Sequence, residues 1–190
     1  MATFRMLMIC GSLRKGSTNE AALRTALAVA PPSLDGTMYT GMGDLPHFNP
    51  DDDREPLHPA VAGLRAAIGA ADALLLCTPE YAGALPGSFK NLLDWTIGGG
   101  EVYGKPVAWM NVASPAAPAG GEDAHASLRK VLGYAGAEIV ETACARVPVT
   151  RPDVGEDGLV RAEALRDQIA GALGALAAHL AASRPRAEGQ

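Results

Sequence analysis

The sequence predicts a three-layer α/β sandwich in which a five-stranded parallel sheet carries helices on both faces. Three observations carry that expectation. Short, continuously apolar runs such as FRMLMIC and ALLLC recur along the chain, and strands buried on both faces read this way instead of alternating. Segments of helical period separate them, which is the order of repeated βα units. Glycine, proline or serine punctuates the end of nearly every run, as expected where strands meet loops.

Taken in order, Phe4 to Cys10 is the first strand, broken by Gly11 and Ser12. Ser17 to Ala30 follows as a helix, with Ser17, Thr18 and Asn19 as cap candidates and Pro31 and Pro32 as the stop. Gly36 to Tyr39 is a short second strand, and Gly41 to Pro59 is a Pro-, Asp- and Gly-rich loop containing DLPHFNPDDD, long enough to suggest function. Its Asp51 to Asp53 read as a solvated turn. Ala60 to Ala71 is helical, and Asp72 to Cys77 is the third strand, closed by Thr78 and Pro79. Ser88 to Thr96 suits a half-buried helix through Phe89, Leu92, Leu93 and Trp95. Lys105 to Ala113 is the fourth strand and Glu122 to Tyr134 the next helix, ended by Gly136. Ala137 to Val149, interrupted near Glu141 and Thr142, supplies a fifth strand, and Arg161 to Ala182 is a long Ala-rich closing helix. Residues 1–183 are expected to form one domain, with 184–190 a flexible tail.

The composition narrows the function classes. A chain of 190 residues that is 48% hydrophobic and 19% charged can bury a core without staples. Its net charge of −5 disfavours a general nucleic-acid or membrane-surface role, which needs a positive field. The three cysteines are widely spaced and odd in number, offering neither a disulfide framework nor a CxxC motif, which fits a reducing, cytoplasmic setting. Cys10 and Cys77 read as small packing residues. The four histidines show no metal-ligand spacing.

With the strand order 2-1-3-4-5, the winding reverses between strands one and three, and ligands of open parallel sheets bind beyond the carboxyl ends of the strands at such a point. The two most distinctive loops follow those strands. GSLRKGSTN lies between a buried strand and a helix start, where backbone N–H groups and the positive end of the helix attract phosphate. Ser12, Ser17 and Thr18 add hydroxyls, Asn19 an amide and Arg14 a guanidinium, more donors than a helix cap requires. Gly11 and Gly16 have Walker-A spacing, but Ser17 stands where that motif needs lysine, and GxGxxG is absent. The second loop begins TPEYAGALPG; its Pro- and Gly-stiffened backbone can bond a planar ring, and Tyr81 offers an aromatic wall.

Together GSLRKGSTNEAAL and TPEYAGALPGSFKNLLDW resemble the NADPH-dependent FMN reductase family, which includes chromate, quinone and azo-dye reductases. The resemblance implies a flavodoxin-like fold, FMN as cofactor, hydride arriving from NAD(P)H and leaving through flavin N5 to a quinone, azo, metal-oxyanion or flavin acceptor in ping-pong order, and a homodimer or homotetramer. By position, Ser12, Arg14, Ser17, Thr18 and Asn19 would hold phosphate and ribityl, while Pro79, Glu80, Tyr81, Ala82 and Gly83 would border the ring, with Ser114 a further neighbour. His47 would approach the flavin from the partner subunit, and Phe89 and Trp95 would fall at a subunit interface. Two departures stand out. Ala82 replaces a frequent asparagine, and Glu122 and Asp123 follow Gly120 and Gly121 where the family often has arginine. The alternative from another class is a flavodoxin-like electron carrier without NAD(P)H turnover; Arg14 in the phosphate loop and a single aromatic, Tyr81, at the ring favour the enzyme.

Overall fold

A computed structural model describes residues 3–183; the expected tail, 184–190, lies outside the described residues. The first strand, β1 (Phe4–Cys10), is followed by helix α1 (Thr18–Val29) and strand β2 (Leu34–Tyr39). Helix α2 (Pro59–Ala70), β3 (Ala73–Cys77), α3 (Gly87–Asp94), β4 (Pro106–Asn111) and α4 (Glu122–Tyr134) continue the alternation. Two short strands, β5 (Glu138–Ile139) and β6 (Ala145–Arg146), precede the closing helix α5 (Glu163–Ser183).

The sheet order is β2-β1-β3-β4-β5, all parallel, with β6 also paired to β4. The single fifth strand expected over 137–149 is therefore two pieces. The 3-10 turn Glu141–Ala143 separates them, and each piece pairs with a different end of β4. Val140 and Ala143 are buried at the break, so the turn is a way of keeping apolar side chains inward while the backbone leaves the ladder.

The apolar runs have the cause read from them. Along β1, Met6 and Met8 point to one core cluster and Leu7 and Ile9 to the other, because successive side chains leave opposite faces. β3 repeats this with Leu75 and Cys77 against Leu74 and Leu76, and β4 with Ala108 and Met110 against Val107 and Trp109. Helices α1 and α5 cover the first face through Leu23, Ala26, Ile169, Leu173 and Leu176. Helices α2, α3 and α4 cover the second through Leu64, Ile68, Phe89, Leu92 and Leu128. Each fully buried Leu or Ile contributes about 1.5–3 kcal/mol of transfer free energy, so these three strands, apolar on both faces, occupy the covered centre of the sheet.

Two sequence expectations need correction. Phe89 and Trp95, expected at a subunit interface, are 0% and 1% exposed within the single chain. The indole N–H of Trp95 donates to the Pro46 carbonyl at 2.8 Å, and its ring meets Phe48 edge-on with centroids 5.0 Å apart. The DLPHF loop, not a second subunit, covers it. The solvated turn at Asp51 to Asp53 holds for the first two residues only. Asp53 pairs with Arg65 at 2.7 Å, both side chains nearly buried, and Arg65 also donates to the Trp95 carbonyl. A long loop rich in acidic residues thus closes over α3 by satisfying one buried cation.

Candidate cofactor site

The carboxyl ends of β1, β3 and β4 open into a cavity of 520 Å³ whose wall includes Ser12, Arg14, Ser17, Thr18, Asn19, Pro79, Glu80, Tyr81 and Ser114. Residues from three separate loops, each picked out from sequence, therefore meet in one place. The volume lies within the range of about 300–1,000 Å³ usual for small-ligand sites.

The wall nearest α1 is built from donors. Ser17 caps the helix, its Oγ accepting the Glu20 N–H at 3.1 Å and lying 4.0 Å from the Cys10 sulfur. Gly16, at φ +62°, turns the chain into that cap, and its N–H donates to the Glu20 carboxylate at 2.8 Å. Asn19 is 5% exposed; its Oδ1 accepts the Cys77 thiol at 3.3 Å, leaving the amide NH₂ without a protein acceptor among the described residues. Ser12 Oγ accepts the Arg14 N–H at 3.2 Å, and the Arg14 guanidinium has no protein partner among the described residues. A buried amide with unused donors, a free guanidinium and a helix N-terminus converging on one wall are a fit for an anionic group.

Cys10 and Cys77 lie beneath this wall as register partners on β1 and β3. Burial raises both thiols above their ordinary pKa, so both stay protonated and packed. Gly11 is required because a Cβ there would stand 2.6 Å from Thr78 Cβ. That close approach lets the two loops share one cavity.

The opposite wall is mainly apolar and backbone. Val112 and Val149 are each 2% exposed and Tyr81 is 55% exposed at the mouth. Glu80 Oε2 accepts the Ala124 N–H at 3.1 Å, which places that carboxylate at the first turn of α4. Gly121, the residue before that helix, is left-handed at φ +78° and offers no side-chain cap. Glu80 therefore ties the loop after β3 to α4. Ser114 lines the cavity and also accepts the Ala116 N–H at 3.2 Å, so it shapes its own turn. Asn111 holds the same loop, donating to the Gly120 carbonyl at 2.9 Å and accepting from Ala113 at 3.0 Å.

Three sequence candidates lie elsewhere. Ala82 and Gly83 are exposed and absent from the cavity wall; they form the tip of a tight turn between Tyr81 and Ala84, with φ of 52° and 68°. Both central residues need positive φ, the condition under which Asn-Gly is favoured. An asparagine at position 82 thus has a backbone reason independent of ligand contact. His47 is exposed on the strap over α3 and does not line the cavity.

Sequence reasoning missed Thr78, Val112, Ala113, Ala117, Pro118, Gly121, Val149, Thr150 and Arg151 on the wall. For the segment after β6 a signal was present. In an open parallel sheet every strand's carboxyl end faces the same side, so the polar pair Thr150 and Arg151 directly after an apolar run belonged among the candidates.

Residues 4–148 match the family model described as NADPH-dependent FMN reductase. An NAD(P)H-dependent FMN reductase of Pseudomonas aeruginosa is 38% identical over 112 residues, covering 58% of this chain and 60% of that protein. A quinone reductase of Escherichia coli K12 is 32% identical over 139 residues, covering 72% and 73%. Among solved structures, the flavoenzyme NAD(P)H:(acceptor) oxidoreductase FerB of Paracoccus denitrificans superposes with a TM-score of 0.82 at 27% identity, over 95% of this chain and 98% of that one. A flavodoxin, WrbA-like protein of Agrobacterium tumefaciens shares the fold at a TM-score of 0.65 and 15% identity, over 96% of this chain and 100% of that one. On the family match, the curated relatives and a sheet of the same order, the chain belongs to the NADPH-dependent FMN reductase family, flavodoxin-like oxidoreductases with FMN as cofactor and NAD(P)H as electron donor.

Proposed function

We propose that the chain reduces small electron acceptors such as quinones, azo compounds, metal oxyanions or free flavin, in a ping-pong cycle, with FMN seated in the cavity at the ends of β1 and β3. One observation carries this reading. The unpartnered donors of Arg14, Thr18 and Asn19 line the same cavity as the loop Pro79 to Tyr81. Bound there, FMN supplies a two-electron relay at N5 between donor and acceptor. Arg14, Ser12, Ser17, Thr18 and Asn19 would hold its phosphate and ribityl, and Pro79, Glu80, Tyr81 and Ser114 its ring, with Ala82 and Gly83 shaping the turn behind Tyr81.

The protein's own part is to bind, orient and leave one face open. Tyr81, more than half exposed at the mouth, leaves room for donor and acceptor to use that face in turn, for which parallel double-reciprocal plots are expected. We further infer one domain over 1–183, a cytoplasmic setting supported by three free thiols, and a homo-oligomer. His47, exposed on its strap, remains our candidate to approach the flavin from the partner subunit.

Anaerobic addition of NADPH or NADH to the yellow protein tests the central reading: bleaching within seconds is expected. A flavin complex that stays oxidised would make the protein a carrier, and failure to take up FMN on reconstitution would end the proposal. At residue level, Arg14→Ala should weaken FMN binding by about 1.5–3 kcal/mol, the worth of a charge-assisted bond. Cys10→Ser, a change beneath the wall, should cost much less. Equal losses in a fluorescence titration would show that the phosphate sits elsewhere.

A further inference from the structure

We propose that Arg151, on the segment after β6, is a second guanidinium for the phosphate monoester at this site, acting together with Arg14; this rests on the cofactor-site reading above. Arg151 lies 137 positions from Arg14 in sequence, yet both line the same cavity. Its Nη1 donates to the Gly16 carbonyl at 2.6 Å, on the turn that leads into the α1 cap. One donor of a planar fork is thereby spent on the loop, and the remaining N–H groups have no protein acceptor among the described residues.

The neighbouring carboxylates Glu20, Asp153 and Glu80 each hold a backbone N–H. Glu20 accepts the Gly16 N–H, and Asp153 accepts both the N–H and the hydroxyl of Thr150, at 2.8 and 2.5 Å. No described carboxylate forms an ion pair with either Arg14 or Arg151. Both guanidiniums line one cavity, and an anion of charge near −2 with three acceptor oxygens can accept from each.

The segment is built to hold Arg151 in place before a ligand arrives. The 3-10 turn Arg151–Asp153 is closed by Asp153 on Thr150, and Arg161 donates to the Pro152 carbonyl at 3.0 Å. Val154 bridges to Val160, whose N–H donates to Thr25 Oγ1 at 2.9 Å, fastening the segment to α1 itself. A guanidinium fixed at both its backbone and one nitrogen loses little freedom on binding.

A phosphate monoester can come from FMN or from the 2′-phosphate of NADPH, and the contact with Gly16 favours FMN. The test compares the unaltered protein with Arg151→Ala and Arg151→Lys. Dissociation constants for FMN and for riboflavin are measured by flavin fluorescence, and KM for NADPH and for NADH by steady-state assay. Arg151→Ala is expected to weaken FMN about 10- to 100-fold while riboflavin changes less than about threefold, with Arg151→Lys between. Loss of NADPH-over-NADH preference with FMN affinity intact would support the same chemistry from the donor's phosphate. Parallel weakening of FMN and riboflavin with an unchanged nucleotide preference would reduce Arg151 to a support for Gly16 and overturn the proposal. So would four constants all within about threefold of the unaltered protein. Absence of FMN binding by the unaltered protein is a separate result that removes the underlying reading and this inference with it.

Discussion

Ala82 is held in a conformation that its side chain disfavours. Its replacement of a frequent asparagine suggests a missing ligand contact, but the residue is exposed at a turn tip with φ of 52° and does not line the cavity. The constraint is conformational, since a Cβ in the left-handed region costs roughly 1–2 kcal/mol unless the residue is Gly or a locally bonding Asn. Ala82→Asn or Ala82→Gly is therefore expected to stabilise the protein by about 0.5–1 kcal/mol, read as a higher urea midpoint with unchanged slope. An unchanged or lower midpoint would show that the turn relaxes at no cost. Asn19 is the opposite case: its place in GSTN marks it from sequence, while its Oδ1 bond to the Cys77 thiol, which leaves the NH₂ free, appears only in the fold.

At the scale of elements, the loop after β3 and the start of α4 act together. Helix α4 begins after a left-handed glycine with no side-chain cap of its own, and the Glu80 carboxylate, 44 positions earlier, takes the Ala124 N–H. A carboxylate at a helix N-terminus is favoured by the orphan N–H groups and the dipole. Glu80→Ala should cost about 1 kcal/mol of local stability and speed amide exchange in the first turn of α4 well above that in its last turn. Uniform exchange along the helix would deny Glu80 this role. Glu122 and Asp123, in the first turn, reinforce the same end electrostatically. Acidic residues in place of a frequent arginine therefore suit the helix terminus on which they stand.

Across the whole molecule, stability should respond to pH through His125. This side chain is 8% exposed, its Nδ1 lies 2.7 Å from the Gly121 carbonyl, and its ring is buried close to the Met110 backbone. Burial lowers its pKa below the ordinary 6.5, more than the backbone of Gly121 and Met110 and the Glu80 charge restore it. The unfolded chain therefore binds this proton more readily than the folded one. The contribution is present above about pH 6.5 and is lost as the pH falls toward the lowered value. Urea unfolding of the unaltered protein should weaken between pH 7.5 and 5.5, and His125→Gln should flatten that dependence; equal slopes would assign it to other groups. No helix among the described residues is long and apolar enough to cross a membrane. At this same scale the division between sequence and tertiary structure becomes plain. The sequence alone determined β1, β3 and β4 to within two residues, because burial on both faces leaves predominantly apolar runs, and α4 through its helical period and the Gly136 stop. It also marked both loops at the reversal of winding, since their polar residues exceed what capping needs. Only the tertiary structure decided that the fifth strand splits, that Trp95 is covered by its own strap, that Glu80 reaches α4 and that Arg151 meets the phosphate loop. Those contacts join residues 32 to 135 positions apart. Local periodicity carries no information at such separations; the packing of helices on both sheet faces brings the partners together.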